Sequence, residues 1–214
     1  MNLPSYPYII TRDSFPIPPG EFDAYIFDCD GTLVDSMPLH LTAWRKALEQ
    51  NGFPPDQFTL EMHHGFAGMP GPAIVEQLNE RFGTNLDPGR TEQDKVAWYL
   101  EHHGSVLPVE PVAAFARANA GRVRMGVASG SDARLVHSCL QTLDLHHLFH
   151  PAIVTPDMVR HGKPEPDMFL LCAEMLGAAP ERCLVFEDGH LGMQAAAAAG
   201  MQAVFISLPD ACGA

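Results

Sequence analysis

Short apolar runs that alternate with helical patterns are the feature that most constrains how this chain can fold. The apolar runs lie at 24–27, 123–128, 152–154, 183–186 and 203–206. Patterns of helical spacing separate most of these runs, at 113–120, 133–143, 167–176 and 191–199. Strands that alternate with helices favour a parallel sheet covered by helices on both faces. Ligands of such sheets bind beyond the carboxyl ends of the strands, so we expect a site there.

The stretch from about Met37 to about Val106 departs from this alternation. It contains no convincing strand, and Pro, Gly and Asn residues punctuate its helical patterns at 38–50, 71–82 and 92–102. We interpret it as a helical insertion between the first strand and the rest of the sheet. The predicted division is a core formed by residues 1–36 and 106–214 and a helical domain at 37–105. Residues 1–20 are rich in proline and are expected to form an extended arm.

The overall charge restricts the partners of the chain. Lys and Arg total 13 against 26 for Asp and Glu, which gives a formal net charge of −13. This balance argues against nucleic acid or an anionic membrane as the main partner. The sequence has no apolar run long enough to span a bilayer and no segment typical of a secretory signal. We therefore expect a cytoplasmic protein, and a monomer because no heptad seam or apolar stripe is present.

Two carboxylates directly follow the first apolar run. Asp28 and Asp30 stand at positions i and i+2, so they point the same way if the strand geometry continues. Carboxylates this close resist joint ionisation, which lets one act as a nucleophile while the other holds or exchanges a proton. Gly31 allows the backbone to turn tightly and to approach a ligand. For this motif alone, a strand that ends in an Asx-type turn is the alternative.

Two further clusters suit a phosphate group. The run that ends at residue 128 continues into the small polar stretch 129–132, whose hydroxyls and backbone N–H groups at a helix start can bind an anion. Pro164 and Pro166 stiffen the backbone around Lys163, so its ammonium can be aimed at a phosphate with little loss of entropy. Ordinary helix N-caps and a solvated surface lysine are the alternatives for these two clusters.

An acidic pair follows another apolar run. Glu187 and Asp188 come directly after Phe186 and suit a hard, oxygen-preferring cation such as Mg²⁺. Taken alone, the pair is explained equally well by an acidic surface turn. The stronger argument is coincidence, because four clusters near the ends of predicted strands together supply acids, anion donors, a lysine and metal ligands. Independent surface turns would rarely provide that complete set.

These clusters resemble the signature motifs of the haloacid dehalogenase superfamily and occur in the same order. Within it, the chain is similar to the β-phosphoglucomutase-like subgroup, and most of all to its sugar-phosphate phosphatases of the fructose-1-phosphatase type. The likeness extends from about Phe22 to the C-terminus and includes the stretches 38–40, 163–167 and 186–188. The resemblance implies an α/β fold, in which a Rossmann-like, doubly wound parallel sheet carries an inserted all-helical cap domain.

The resemblance also implies chemical roles. Asp28 would attack phosphorus to form an acyl phosphate, and Asp30 would protonate the leaving oxygen and then activate water. Mg²⁺ would be held by the side chains of Asp28 and Asp188 and the backbone carbonyl of Asp30, with Glu187 as a ligand or a support. The transferring phosphoryl oxygens would be bound by Ser129, Gly130 and Lys163. The implied activity is that of a Mg²⁺-dependent phosphatase acting on a small phosphorylated metabolite.

The resemblance implies that the cap chooses the substrate. The cap residues that match site-facing positions of relatives are His40, Trp44, Gly65 and Lys95. Helical spacing also suits Trp44 to a buried core position. We interpret the pair His63-His64 as surface or cap residues rather than metal ligands, because adjacent residues on a helix point apart. The cap is expected to move over the site and exclude bulk water during the chemistry.

One difference separates a phosphatase from a mutase. In the sugar-phosphate mutase, a cap arginine holds the distal phosphate of a bisphosphate intermediate, whereas the matching stretch 66–70 of this chain carries no cation. We therefore expect hydrolysis of a small sugar phosphate or a related phosphometabolite, with phosphoglucomutase-type isomerisation as the alternative. A non-catalytic binding protein of the same fold is a more distant alternative. The metal-dependent pattern of acids argues against a dehalogenase.

Overall fold

A parallel sheet forms the centre of the computed structural model, which describes residues 6–207. The strands in this part of the chain are β1 Ile9–Ile10, β2 Ala24–Phe27, β3 Val34–Asp35, β4 Leu107–Pro108, β5 Arg124–Ala128, β6 Ile153–Val154, β7 Cys183–Glu187 and β8 Gln202–Ile206. Six of these strands pair in parallel in the order β1-β8-β7-β2-β5-β6. The two others, β3 and β4, pair antiparallel. The predicted parallel sheet is confirmed.

Helices connect the strands and occupy much of the remaining sequence. They are α1 Met37–Gln50, α2 Leu60–Gly65, α3 Gly71–Phe82, α4 Pro88–His102, α5 Glu110–Asn119, α6 Ala133–Thr142, α7 His146–Phe149, α8 Asp167–Leu176 and α9 His190–Ala198. Helix α4 begins four residues before the predicted start because Asp87 caps it, accepting a hydrogen bond from the backbone N–H of Arg90, and Pro88 suits a first helical turn. The short helices α2 and α7 were not predicted.

Both faces of the sheet are buried, which explains why its strands form nearly continuous apolar runs. On one face Phe27 joins a buried cluster that includes residues of α5 and α6. On the other face Ala24 and Ile26 join a cluster that includes residues of α8 and α9. Because side chains alternate along a strand, β2 contributes to both layers. This arrangement confirms the doubly wound α/β class.

The helices α1 to α4 lie between β3 and β4 in the chain. Residues of α1, α2 and α3 and of the intervening loops form a buried apolar cluster of their own, made of Trp44, Leu48, Phe53, Phe58, Met62, Ile74, Val75, Leu78 and Leu86. Val96 and Tyr99 of α4 belong instead to the cluster that includes residues of α5 and α6. The pairing of β3 with β4 places the two connections to this helical region side by side. Among the described residues no strand lies within 37–105. That these helices form a separate cap domain with those bounds stays a prediction.

Part of the N-terminal arm belongs to the sheet. Strand β1 pairs in parallel with β8, and Ile10 is fully buried against the core. The ring of Phe15 stacks on that of Phe115, with 5.0 Å between the ring centroids. The first five residues of the predicted arm and the last seven of the predicted core lie outside the described residues. No helix of the described part is long and apolar enough to cross a membrane.

Candidate active site

Asp28 directly follows strand β2 and is almost fully buried. Its Oδ1 accepts a hydrogen bond of 2.7 Å from the ammonium of Lys163. The same ammonium donates a bond of 2.9 Å to Oε2 of Glu187, the last residue of β7. Because β2 and β7 are parallel neighbours, their carboxyl ends bring the two acids together. Lys163 thus lies between Asp28 and Glu187.

The charges of these three residues depend on one another. Burial and the charge of Glu187 raise the pKa of the Asp28 carboxyl well above its usual range, against the opposing effect of Lys163. Burial alone would lower the pKa of Lys163, but the charges of Asp28 and Glu187 outweigh it and raise that pKa. Lys163 is therefore a permanent cation at neutral pH.

Asp188 completes a cluster of acids around Asp28. One carboxylate oxygen from each of Asp28, Glu187 and Asp188 lies within 4.8 Å of the other two. Burial, and after it the charge of Glu187, raises the pKa of Asp188 to about 8. Full ionisation of these three carboxylates beside the Lys163 ammonium would leave an excess of two negative charges, and the raised pKa values of Asp28 and Asp188 reflect their resistance to it. A set of oxygen donors with that charge fits a hard divalent cation.

A backbone N–H group and a hydroxyl group hold the Glu187 and Asp188 carboxylates of this cluster in place. The N–H of Gly189 donates to Glu187 Oε1 at 3.0 Å, and the hydroxyl of Thr32 donates to Asp188 Oδ1 at 3.3 Å. Gly31 has a φ of +82°, and a Cβ at this position would overlap the Asp188 carboxylate. Glycine is therefore required at residue 31 both for its backbone conformation and for the close approach of Asp188.

Asp30 has a different set of partners from Asp28. Its Oδ1 accepts hydrogen bonds from the Ser36 hydroxyl at 2.6 Å and from His40 Nε2 at 2.9 Å, and its Oδ2 accepts one from the Ser131 hydroxyl at 2.6 Å. Burial alone would raise the pKa of Asp30, but His40 and the hydrogen bonds outweigh it and lower that pKa. The Asp30 side chain is thus held as a carboxylate and stays outside the cluster of acids around Asp28.

The predicted phosphate-binding stretch lies between β5 and α6. Ser129 is buried, and its Oγ accepts a hydrogen bond of 3.1 Å from the N–H of Ser131. Asp132 caps α6 by accepting a bond from the N–H of Arg134. Gly130 touches the helical region, since a Cβ at Gly130 would overlap the carbonyl oxygen of Gly68. The stretch therefore lies where the core and the helical region meet.

A cavity separates the carboxyl edge of the sheet from the helical region. The volume open to the centre of a water molecule is about 60 Å³. The predicted site residues in its wall are Asp28, Asp30, His40, Trp44, Lys95, Ser129, Gly130 and Asp188. Lys163 and Glu187 are not part of the wall but are bonded to one another, and Lys163 also to Asp28. The sequence-predicted residues of the core thus converge on one place.

Among the predicted cap residues, Gly65 is the one that does not line this cavity. It is the exposed last residue of α2, and the residues that follow it, 66–69, line the wall instead. His63 lies in the helical region, but the surface alternative for it is wrong, because only 5% of His63 is exposed and it lines the cavity. His64, its neighbour on α2, is exposed, as expected for adjacent helical residues.

Several residues of the site were missed by the sequence analysis. Glu92 lines the cavity three residues before Lys95 on α4, so helical spacing from Lys95 could have identified it. His63 had no such signal, because the six residues of α2 are too few for a reliable helical period. Ser36 was missed because no local pattern indicates that the chain folds it against Asp30. Ser131 belongs to the predicted stretch 129–132, but its bond to Asp30 was not predicted.

A second cavity of about 490 Å³ adjoins the first, and Met37, Ala67 and Asp188 line both. The N-terminal arm contributes Arg12 to its wall. His190, also in this wall, has its Nδ1 2.6 Å from the hydroxyl of Tyr6. The arm therefore contacts the loop that follows the acidic pair.

Comparison with known proteins connects this geometry to one family. A family model described as haloacid dehalogenase-like hydrolase matches residues 22–200. The chain is 38% identical over 186 residues to fructose-1-phosphate phosphatase YqaB of Escherichia coli (strain K12), which covers 86% of this chain and 95% of that protein. It is 30% identical over 190 residues to β-phosphoglucomutase of Bacillus subtilis (strain 168), covering 85% and 81% of the two chains.

The same fold occurs in solved structures. A hydrolase from Pseudomonas syringae superimposes with a TM-score of 0.74 at 28% sequence identity. The match covers 86% of this chain and 83% of the other. The N-terminal arm lies outside the residues that the family model matches.

Proposed function

We propose, because the chain belongs to the haloacid dehalogenase-like hydrolase family and is a phosphatase-type enzyme, that it requires Mg²⁺. Its proposed substrate is a small sugar phosphate or a related metabolite. The observation that carries the proposal is the position of Asp28. It is buried, bonded to Lys163 and part of a carboxylate cluster that suits a divalent cation, and it faces a cavity. These are the parts that phosphoryl transfer requires.

In the first step, a carboxylate oxygen of Asp28 attacks the phosphorus of the substrate. A bond forms between this oxygen and phosphorus, the bond from phosphorus to the leaving oxygen breaks, and the leaving oxygen takes a proton from Asp30. Asp30 must therefore be protonated for this step, whereas its present hydrogen bonds favour the carboxylate. Since one of those bonds comes from His40 on α1, movement of the helical region would release Asp30 for this role.

In the second step, water attacks the phosphorus of the aspartyl phosphate. Asp30, now a carboxylate, takes a proton from the water, the bond from phosphorus to Asp28 breaks, and inorganic phosphate leaves. Asp28 is regenerated as a carboxylate, and the proton on Asp30 is available for the next leaving group.

The positive charges of the site would come from two sources. The side chains of Asp28 and Asp188 and the backbone carbonyl of Asp30 would hold Mg²⁺, with Glu187 as a ligand or a support. Mg²⁺ supplies neutralisation of the negative charge on the transferring phosphoryl group. Lys163 adds a second positive charge, and Ser129 and Gly130 would bind phosphoryl oxygens.

The helices α1 to α4 are proposed to act as a cap. The cavity has room for only a few water molecules, so a sugar phosphate can enter only if the helical region moves away from the core. The loop at 66–70 is close to the core, because a Cβ at Gly68 would lie 3.4 Å from the Lys163 side chain. Closure of this loop over bound substrate would exclude bulk water.

A mutase is the second candidate, because β-phosphoglucomutase is among the relatives. The stretch 66–70 lacks a cation, but α4 brings the ammonium of Lys95 to the same cavity. The acids Asp30, Glu92 and Asp132 act on this ammonium, so its surroundings do not favour a second phosphate. Hydrolysis is therefore preferred, and a requirement for a bisphosphate sugar activator would identify the mutase instead.

The test is phosphate release from a panel of sugar phosphates, with and without Mg²⁺. We expect Mg²⁺-dependent release that falls by at least about a thousandfold in Asp28→Asn, because the nucleophile is lost. Asp56→Asn, which changes an exposed acid outside the cavity, is the matched control and should retain activity. Release that persists in Asp28→Asn would contradict the aspartyl-phosphate mechanism, and isomerisation that depends on a bisphosphate would contradict the phosphatase.

A further inference from the structure

The helical side of the cavity carries polar side chains that the proposed chemistry does not use. His63, Glu92 and Lys95 line the wall there together with the ring of Trp44. These side chains come from α2, α4 and α1, so the packing of three helices brings them to one place. The hydrogen bonds that these side chains can form help to determine which substrate the cavity accepts.

His63 has an unmet hydrogen-bonding group. It is 95% buried, and its Nδ1 has no hydrogen-bond partner among the described residues. A buried polar atom without a partner is unfavourable and rare, so a ligand that supplies the partner is a natural explanation. Burial, followed by the charges of His40, His64 and Lys95, lowers the pKa of His63 to about 3. A neutral imidazole offers one donor and one acceptor, which matches a hydroxyl group rather than a phosphate.

Glu92 and Lys95 add an acceptor and a donor to the same wall. The ammonium of Lys95 lies 5.5 Å from the centre of the Trp44 ring and 5.6 Å from that of the Tyr99 ring. Glu92 is half-buried, and burial raises the pKa of its carboxyl. Acids outnumber the one ammonium here, because Asp30 and Asp132 also act on Lys95. Such a wall attracts hydroxyl groups and repels a dianion.

We propose that His63 and Glu92, with Lys95, select a substrate whose leaving group is an uncharged polyhydroxylated chain or ring. The hydroxyl groups of a sugar monophosphate would bond to His63 and Glu92, and a sugar with a second phosphate would be rejected by the acids of the wall. This inference rests on the proposed phosphatase function and adds to it the residues that recognise the leaving group and that discriminate against a second phosphate.

The test compares three phosphate esters or anhydrides. Acetyl phosphate has no hydroxyl groups and reports on the phosphoryl transfer alone, fructose 1-phosphate adds hydroxyls, and fructose 1,6-bisphosphate adds a second phosphate. The variants are His63→Leu, which removes the hydrogen bonds, His63→Gln, which keeps a donor and an acceptor, and Glu92→Gln. His147→Leu, which changes an exposed histidine on α7, is the control. Each is measured as kcat/KM with Mg²⁺, alongside thermal unfolding.

We expect His63→Leu to lower the preference for fructose 1-phosphate over acetyl phosphate by about tenfold, and His63→Gln to recover part of it. Glu92→Gln should raise the activity on the bisphosphate relative to the monophosphate by about fivefold. The control should leave both ratios at the wild-type values. If His63→Leu does not fold, His63→Gln and Glu92→Gln still decide the outcome through the same ratios.

Failure of the inference and failure of the proposed function give different results. Turnover of acetyl phosphate that requires Mg²⁺ and Asp28, together with equal or higher activity on the bisphosphate, would overturn the inference and leave the phosphatase intact. Ratios that do not change in folded His63 and Glu92 variants would also overturn it. The absence of turnover with all three compounds would overturn the phosphatase and the inference together.

Discussion

Gly31 and Gly52 share a left-handed backbone conformation and differ in their surroundings. Both have a φ of +82°, but a Cβ at Gly31 would overlap the Asp188 carboxylate, whereas a Cβ at Gly52 would have no atom within 4 Å. Alanine at either position should cost about 1–2 kcal/mol of stability through the backbone alone. Only Gly31→Ala should also displace Asp188, so we expect its Mg²⁺-dependent phosphatase activity to fall by at least about tenfold.

Comparison of the two glycine variants separates the effect of backbone strain on stability from the effect of a displaced Asp188 on activity. Thermal unfolding should show similar losses of stability, and phosphate release should be affected in Gly31→Ala alone. Equal activities of Gly31→Ala and Gly52→Ala would contradict a role for Gly31 in placing Asp188.

His63 should make the folded state sensitive to acid. Its pKa is about 3 in the folded protein against the model-compound value of 6.5, because it is buried. Between these values the unfolded chain binds a proton at His63 and the folded protein does not, so stability falls as the pH is lowered from about 6.5 towards 3. Over the whole window the loss is roughly 5 kcal/mol.

The measurement is the free energy of unfolding of the wild type and His63→Leu as a function of pH. His63→Leu lacks this titration, so its stability should decrease less between pH 6.5 and 3. Parallel curves for the two proteins would show that His63 is not buried as a neutral group.

At the scale of the elements, strand β1 attaches the N-terminal arm to the edge of the sheet. Ile10 is fully buried, whereas 37% of the adjacent Ile9 is exposed. We expect Ile10→Ala to lower the free energy of unfolding by about 2–4 kcal/mol, because it leaves a cavity in the core, and Ile9→Ala by less than about 1 kcal/mol. Chemical denaturation of both variants tests this, and equal effects would mean that β1 does not pack as described.

The arm also touches the loop that carries the acidic pair. Tyr6 stacks on Phe205 with 4.7 Å between ring centroids, and its hydroxyl lies 2.6 Å from His190 Nδ1. His190 in turn begins α9, two residues after Asp188. An element outside the family match therefore supports a loop that belongs to the proposed site.

At the scale of the whole molecule, binding of Mg²⁺ should stabilise the fold. The carboxyl groups of Asp28, Glu187 and Asp188 share the ammonium of Lys163, and a bound divalent cation would relieve the burial cost and the repulsion that raise the pKa values of Asp28 and Asp188. At a Mg²⁺ concentration of about 100 times Kd the gain is about 2.7 kcal/mol. This gain should raise Tm by several degrees, and a chelator should reverse it.

Asp188→Asn should remove most of the shift in Tm caused by Mg²⁺, while Asp56→Asn should preserve it. NaCl at the same ionic strength controls for general screening of the net charge of −13. A shift of the same size in Asp188→Asn would contradict the assignment of the metal to the Asp28, Glu187 and Asp188 cluster.

The architecture of the core and its main chemical groups could be predicted from local sequence patterns. The apolar runs that became β2, β5 and β7 were evident because strands buried on both faces lack polar positions. The acids and hydroxyls that follow them had to converge, since parallel strands end at the same edge of the sheet. The positions of the strands and helices can be read from short stretches of sequence, because the hydrophobic period of a strand or a helix repeats within a few residues.

Only the tertiary structure decided how the helical region meets this edge. It placed His63 and Glu92 in the cavity wall, left Gly65 outside it and gave Asp30 the partners Ser36, His40 and Ser131. It also turned part of the arm into β1. These outcomes depend on which residues, distant in the sequence, pack together. A hydrophobic pattern with a period of two or 3.6 residues shows which face of a strand or helix is buried, but it does not show which other element covers that face.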